Sequence, residues 1–168
     1  MIGFLSGWKN NTSWKRGAIF SLVFLAFLII GIVLHEYSHW TAGTLLGYSA
    51  NVNLSLNQSS YFVASIISTF DRIVVALAGG VGVFIVFSLL SKVLSDPKIS
   101  VPLQFIAMLN GAYALFEVFY TLNWMSAWQA QMIGNLVGIT CFAFFLFCGR
   151  DSKVIDLLRY IKLGHELG

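Results

Sequence analysis

The chain has 168 residues, of which 58% are hydrophobic, 15% aromatic and only 10% charged. Those charges are too few to cover the surface of a water-soluble domain, so lipid must solvate much of the chain. The net charge of +3 comes from basic residues that flank apolar runs, which argues for span ends and against a nucleic-acid surface.

Residues 17–40 form the first of four segments long enough to cross a bilayer, followed by 73–94, 101–124 and 127–149. Each is near the roughly 20 residues that a hydrocarbon core requires. They predict an all-α integral membrane protein, with a four-helix transmembrane domain over residues 1–149 and a separate tail over 150–168. Lys9, Lys15 and Arg16 precede the first span as they would in a signal peptide. Its apolar run is longer than a signal's, however, and cleavage would detach or destroy the motif it carries, so an uncleaved span is expected.

That motif is His35-Glu36-Tyr37-Ser38-His39. Histidines four apart share one helix face and can share one Zn²⁺, while Glu36 between them is placed to take a proton from a metal-activated water. The spacing is that of metal-assisted hydrolysis. The plainer alternative is a span end whose histidines meet the headgroup region, as Trp40 would.

Residues 41–60 read as a loop rich in Gly, Ser and Asn, and the alternation at 52–56 predicts one short strand. The apolar run 61–69 suggests a short interfacial helix before Asp71-Arg72 and the second span. Gly79, Gly80 and Gly82 in that span, and the Gly134/Gly138 pair in the fourth, are small-residue packing devices. Pro97 and Pro102 separate the second and third spans. Cys141 and Cys148, seven apart and without CxxC spacing, read as small buried hydrophobes rather than ligands. In the tail, Asp151 or Ser152 can cap a helix with an apolar stripe (Val154, Ile155, Leu157, Leu158, Ile161) opposite Lys153, Asp156, Arg159 and Lys162. A cationic amphipathic helix on the cytoplasmic membrane surface is expected, with docking on a partner subunit as the alternative.

If the spans alternate, all the basic residues except Arg72 fall on one side of the bilayer. The positive-inside rule then predicts a multi-pass cell-membrane protein with both termini cytoplasmic and the motif end of the first span outward. His35 lies about 27 Å along its span and Glu117 about 24 Å along the third, both entering from the same side at 1.5 Å per residue, so the two reach one level. Asp71, Gln129 and Gln131 open spans at that same level, whereas Asn110 is expected nearer mid-membrane and His165 solvated in the tail. Glu117, set among Phe116, Val118 and Phe119, needs a partner because an unpaired carboxylate in the membrane is costly. Ligation of the metal beside His35 and His39 would complete a three-ligand site. The alternatives are a protonated Glu117 bonded to Asn110 or Tyr120, or an ion pair with Arg72. Asp71 is the second choice for third ligand, unless it pairs with Arg72.

The motif at the end of the first span, a strand-bearing loop and then Ala76-Leu77-Ala78-Gly79-Gly80 together resemble the site-2 protease family of intramembrane zinc metalloproteases. Leu109-Asn110 before a polar third span adds weak support. The resemblance implies zinc at His35 and His39, Glu36 as general base, and cleavage of a partner protein's transmembrane segment near the strand at 52–56. That family takes its third ligand from an Asp followed by Gly, and this chain has no Asp-Gly pair. The family's site usually opens toward the cytosol, whereas the charge pattern here points it outward. Two functions follow: an intramembrane zinc endopeptidase, or a protease-like, non-catalytic subunit of a larger membrane complex with a structural metal site or none. A transporter or channel fits less well, since no pair of discontinuous helices marks a midplane site.

Overall fold

A computed structural model describes residues 11–54, 60–63, 66, 68–149 and 152–163. The chain runs α1 (Asn11–Leu45), β1 (Ala50–Asn53), β2 (Ser60–Val63), α2 (Thr69–Val93), α3 (Pro97–Thr121), α4 (Ala127–Gly149) and α5 (Ser152–Leu163). The first four helices are each long and apolar enough to cross a membrane, which makes this an all-α membrane protein. At 1.5 Å per residue α1 is about 52 Å long and overshoots a 30 Å hydrocarbon layer at one end or both. Its large apolar side chains, among them Leu22, Leu25, Ile29 and Ile30, point outward, as they can only where lipid solvates them.

Local chemistry sets the helix ends. Ser68 caps α2 by accepting from the Asp71 amide, and Asp96 caps α3 by accepting from Lys98 N, with Pro97 in the first turn, where its missing N–H costs nothing. Ser126 and Gln129 form a reciprocal capping box on α4, Ser126 N donating to Gln129 Oε1 at 2.9 Å and Gln129 N to Ser126 Oγ at 3.3 Å. Asn123, at φ 61°, turns the chain out of α3. The helices begin and end a few residues from the expected spans because these caps, not the apolar runs, define them.

The expected interfacial helix is corrected at its start: Ser60–Val63 is a strand, paired antiparallel with Ala50–Asn53 in the register Ala50↔Val63 to Asn53↔Ser60. A lone strand would leave its backbone groups unpaired, and an apolar run as short as 61–63 does not by itself distinguish strand from helix. Residues 64, 65 and 67 of that expected helix, and 55–56 of the expected strand, lie outside the described residues. Trp40 Nε1 donates to Ala50 O at 3.1 Å, tying the hairpin to α1.

Helix α3 is the centre of the bundle, packing on α1, α2, α4 and α5. Its core with α2 is Val83, Phe87, Leu103, Ile106 and Ala107, all buried, with Phe24, Phe27 and Leu28 of α1 against it. Gly134 and Gly138 let α4 approach closely, since a Cβ there would stand 2.9 Å from Tyr113 Cα and 2.7 Å from Leu109 Cα. A second expectation is corrected on the same helix: Cys141 is exposed on α4, as a small apolar side chain can be where lipid solvates it. The side chain of Cys148, and all of His165, lie outside the described residues. The tail helix α5 docks on the bundle itself. Leu157 is buried, and the Tyr160 ring takes Lys98 Nζ at 4.6 Å and the Arg16 guanidinium at 5.9 Å from its centroid.

Candidate metal centre

His35 and His39 stand one turn apart on α1, on the face turned to α2 and α3. His39 is fully buried, and its Nδ1 lies 2.6 Å from the carbonyl of Val75 on α2. A carbonyl can only accept, so Nδ1 carries the proton and Nε2 keeps its lone pair. His35 is held in the same way from α3. Its Nδ1 is 3.2 Å from Asn110 Oδ1, while the Asn110 amide nitrogen donates to Ile106 O at 2.9 Å, which orients the oxygen toward the imidazole.

Both Nε2 lone pairs therefore converge. They lie 3.0 Å apart, and Glu117 of α3 sets Oε1 3.2 Å from His39 Nε2 and Oε2 3.4 Å from His35 Nε2. Three acceptors that face one another at such distances repel unless a cation or protons lie between them. With one carboxylate and two imidazoles fixed by outer hydrogen bonds, the donor set fits a metal ion. Gly79 of α2 makes the room, because a Cβ there would collide with His39 Nε2 and lie 2.7 Å from His35 Nε2.

Glu36, next along α1, is buried, and its Oε2 has no hydrogen-bond partner among the described residues. It lines, with His35, a cavity of about 380 Å³ between α1 and α4, floored by Asn110 and Tyr113 of α3 and bounded across by Gln131 and Asn135. The Tyr113 ring lies 5.8 Å from that of His35.

Of the residues singled out by sequence, His35, Glu36, His39 and Glu117 come together, and Gln131 faces them across the cavity. Asp71 does not join them: its Oδ2 accepts from Tyr48 at 2.5 Å, while Arg72 donates to Thr121 O at 2.6 Å. Arg72 is thus engaged with a backbone carbonyl, and Asn110 with His35, so neither is the partner that Glu117 was expected to need in place of a metal. Gln129 caps its own helix. Asn110, expected nearer mid-membrane, reaches His35 all the same, and its separation of seven from Glu117, which puts both on one helix face, could have marked it. The Val75 carbonyl and the space at Gly79 had no readable signal beyond the small residue itself. In comparison with known proteins, no family model, no curated protein and no solved structure matches this chain.

Proposed function

We propose that this protein is an intramembrane zinc endopeptidase, similar in its working parts to the site-2 proteases, that hydrolyses a peptide bond in a partner's membrane-spanning segment. The observation that carries the proposal is the convergence of His35 Nε2, His39 Nε2 and a Glu117 carboxylate at 3.0 to 3.4 Å beside Glu36, whose Oε2 has no hydrogen-bond partner among the described residues. Ligands about 2.05 Å from a tetrahedral zinc stand about 3.3 Å from one another, which matches those separations. Three protein ligands leave one position for water or substrate, the arrangement of catalytic rather than structural zinc. Glu117 would supply the carboxylate that the Asp of Asp-Gly supplies in the family, with the same charge.

When bound, Zn²⁺ supplies the Lewis acidity that makes water nucleophilic near neutral pH and polarises a carbonyl. Glu36 accepts the proton of the attacking water and delivers it to the leaving amine as the C–N bond breaks. Val75 O and Asn110 Oδ1 hold the imidazoles in the tautomer that presents Nε2. A silent subunit would give Glu36, buried in the cavity wall, no task. The basic residues gathered on one side of the spans support a cell-membrane protein with both termini cytoplasmic and the metal centre toward the outer side. The test is zinc analysis with a proteolysis assay in detergent or lipid discs. Wild type should carry about one zinc per chain and cleave, and Glu36→Gln should keep zinc and lose cleavage by about 10²-fold or more. Zinc-free wild-type protein, or full activity in Glu36→Gln, would end the proposal.

A further inference from the structure

The end of the bundle away from the metal centre holds a second cavity, of about 140 Å³, between α2, α3, α4 and α5. Along α3, Ile106 and Ala107 of the core separate it from Asn110 and the metal ligands. On its α3 wall stand Ser100 and Gln104, one turn apart on one helix face. A serine in a membrane helix ordinarily donates back to the carbonyl four residues before it, as Ser38 does to Leu34 O at 2.7 Å. Ser100 makes no such bond: the residue is 2% exposed, and its Oγ has no hydrogen-bond partner among the described residues. A hydroxyl sealed away unpaired is costly, so the cavity it lines should hold the missing partner.

The chemistry of the wall narrows what that partner is. Gln104 Oε1 accepts from Ser91 Oγ at 2.8 Å, so its carbonyl is taken and its amide N–H groups remain to donate. Lys92, exposed in the last turn of α2, adds an ammonium group. None of the described residues lining the cavity is acidic, and Asp96, one turn before Ser100, is occupied by Lys98 N at 2.9 Å and Lys98 Nζ at 3.6 Å. Three donors, one of them charged, call for an anion with several acceptor oxygens. The volume is several times the roughly 30 Å³ that one water takes in the liquid. The remaining wall is apolar, with Phe142 and Phe145 of α4 and Val154 of α5. An anionic oxygen group joined to an apolar chain matches both halves. The level fits as well, because Ser100 lies only about 5 Å along α3 from Pro97, near the boundary where headgroups begin.

We propose that this cavity binds an anionic phospholipid, whose phosphate oxygens accept from Ser100, Gln104 and Lys92 while an acyl chain lies over Phe142 and Phe145. Anionic lipids gather where a membrane protein presents basic residues, and Arg16, Lys92 and Lys98 lie at this end of the bundle. Through Val154 the lipid also touches α5, whose Leu157 is already buried on the bundle. Occupancy therefore fastens the tail helix to the membrane domain. The site is independent of the metal centre and of any activity there.

The experiment is native mass spectrometry of the full chain released from detergent micelles, titrated with phosphatidylglycerol and with phosphatidylcholine of the same acyl chains. Inorganic phosphate is the third probe, added alone and in competition. Wild type should retain one phosphatidylglycerol, bound about tenfold or more tighter than phosphatidylcholine. Ser100→Ala, Gln104→Leu and Lys92→Gln should each weaken it about tenfold, as loss of a hydrogen bond to a charged group does. Lys15→Gln, at an exposed position on α1, should leave the affinity unchanged. Without lipid, Ser100→Ala should melt at the wild-type temperature, since its hydroxyl has no protein partner to lose; a lower value would mean that the hydroxyl pairs within the protein, and the proposal would fall. Equal binding of the two lipids, or an equal loss in Lys15→Gln and the three site variants, would reveal only general surface charge and overturn it. So would inorganic phosphate that displaces the lipid at equal concentration, which would make the ligand a free anion. A loss confined to variants with reduced helicity by circular dichroism overturns it too.

Discussion

Replacing Gly79 by alanine adds one methyl group at the candidate metal centre and, on the proposed reading, should abolish metal binding while sparing the fold. The new Cβ would collide with His39 Nε2 and stand 2.5 Å from His39 Cε1 and 2.7 Å from His35 Nε2. Comfortable contact begins near 3.5 Å, so His35 must retreat by about 0.8 Å and His39 by at least about 1.0 Å. Neither is free to do so: His39 is fully buried with Nδ1 held by Val75, and His35 is held by Asn110. Zinc–ligand distances are kept within about 0.2 Å, so a shift four or five times larger should lower affinity at least about 100-fold. The core around Val83, Phe87, Leu103 and Ile106 lies farther along α2 and α3 and should hold the bundle together. Metal content after gel filtration is the assay, with circular dichroism as the check on folding. Gly17→Ala is the control, because a Cβ there meets nothing within 4 Å. A folded Gly79→Ala protein that retained one zinc at wild-type affinity would refute the placement of the ligands.

Glu117→Gln removes the only anionic ligand and should lose zinc and cleavage together, in contrast to Glu36→Gln, which should lose cleavage alone; metal analysis of the two variants side by side separates the roles. Asn110→Leu deletes the acceptor that orients His35 and should cost about 10- to 100-fold in zinc affinity, read by competition with a chelating dye; unchanged affinity would show that the Nδ1 contact does not orient the ring. For topology, a cysteine introduced at Asn53 should react with a membrane-impermeant reagent in intact cells and one at Lys98 should not; the opposite pattern would turn the metal centre toward the cytoplasm.

The four membrane helices were legible because the bilayer reduces the problem to length and apolarity, and because every backbone group in a span must be paired within its own helix. His35, Glu36 and His39 were legible as a group for a related reason. One helix supplies all three, so the 3.6-residue period alone brings the imidazoles to one face. Glu117 came within reach through helix rise, which allows levels to be compared between spans but not rotations about their axes. What depends on rotation and on neighbouring elements needed the tertiary structure: the Val75 carbonyl on His39, Asn110 on His35, the space at Gly79, the diversion of Asp71 to Tyr48, and the pairing of Ser60–Val63 with Ala50–Asn53. The same holds for Gln131 and Asn135, which line the cavity with His35 and Glu36. By itself the sequence determined which residues can serve, since chemistry and local period are carried along one helix. Only packing between helices decided which of them meet, because a site shared by α1, α2 and α3 is set by contacts far apart in the chain.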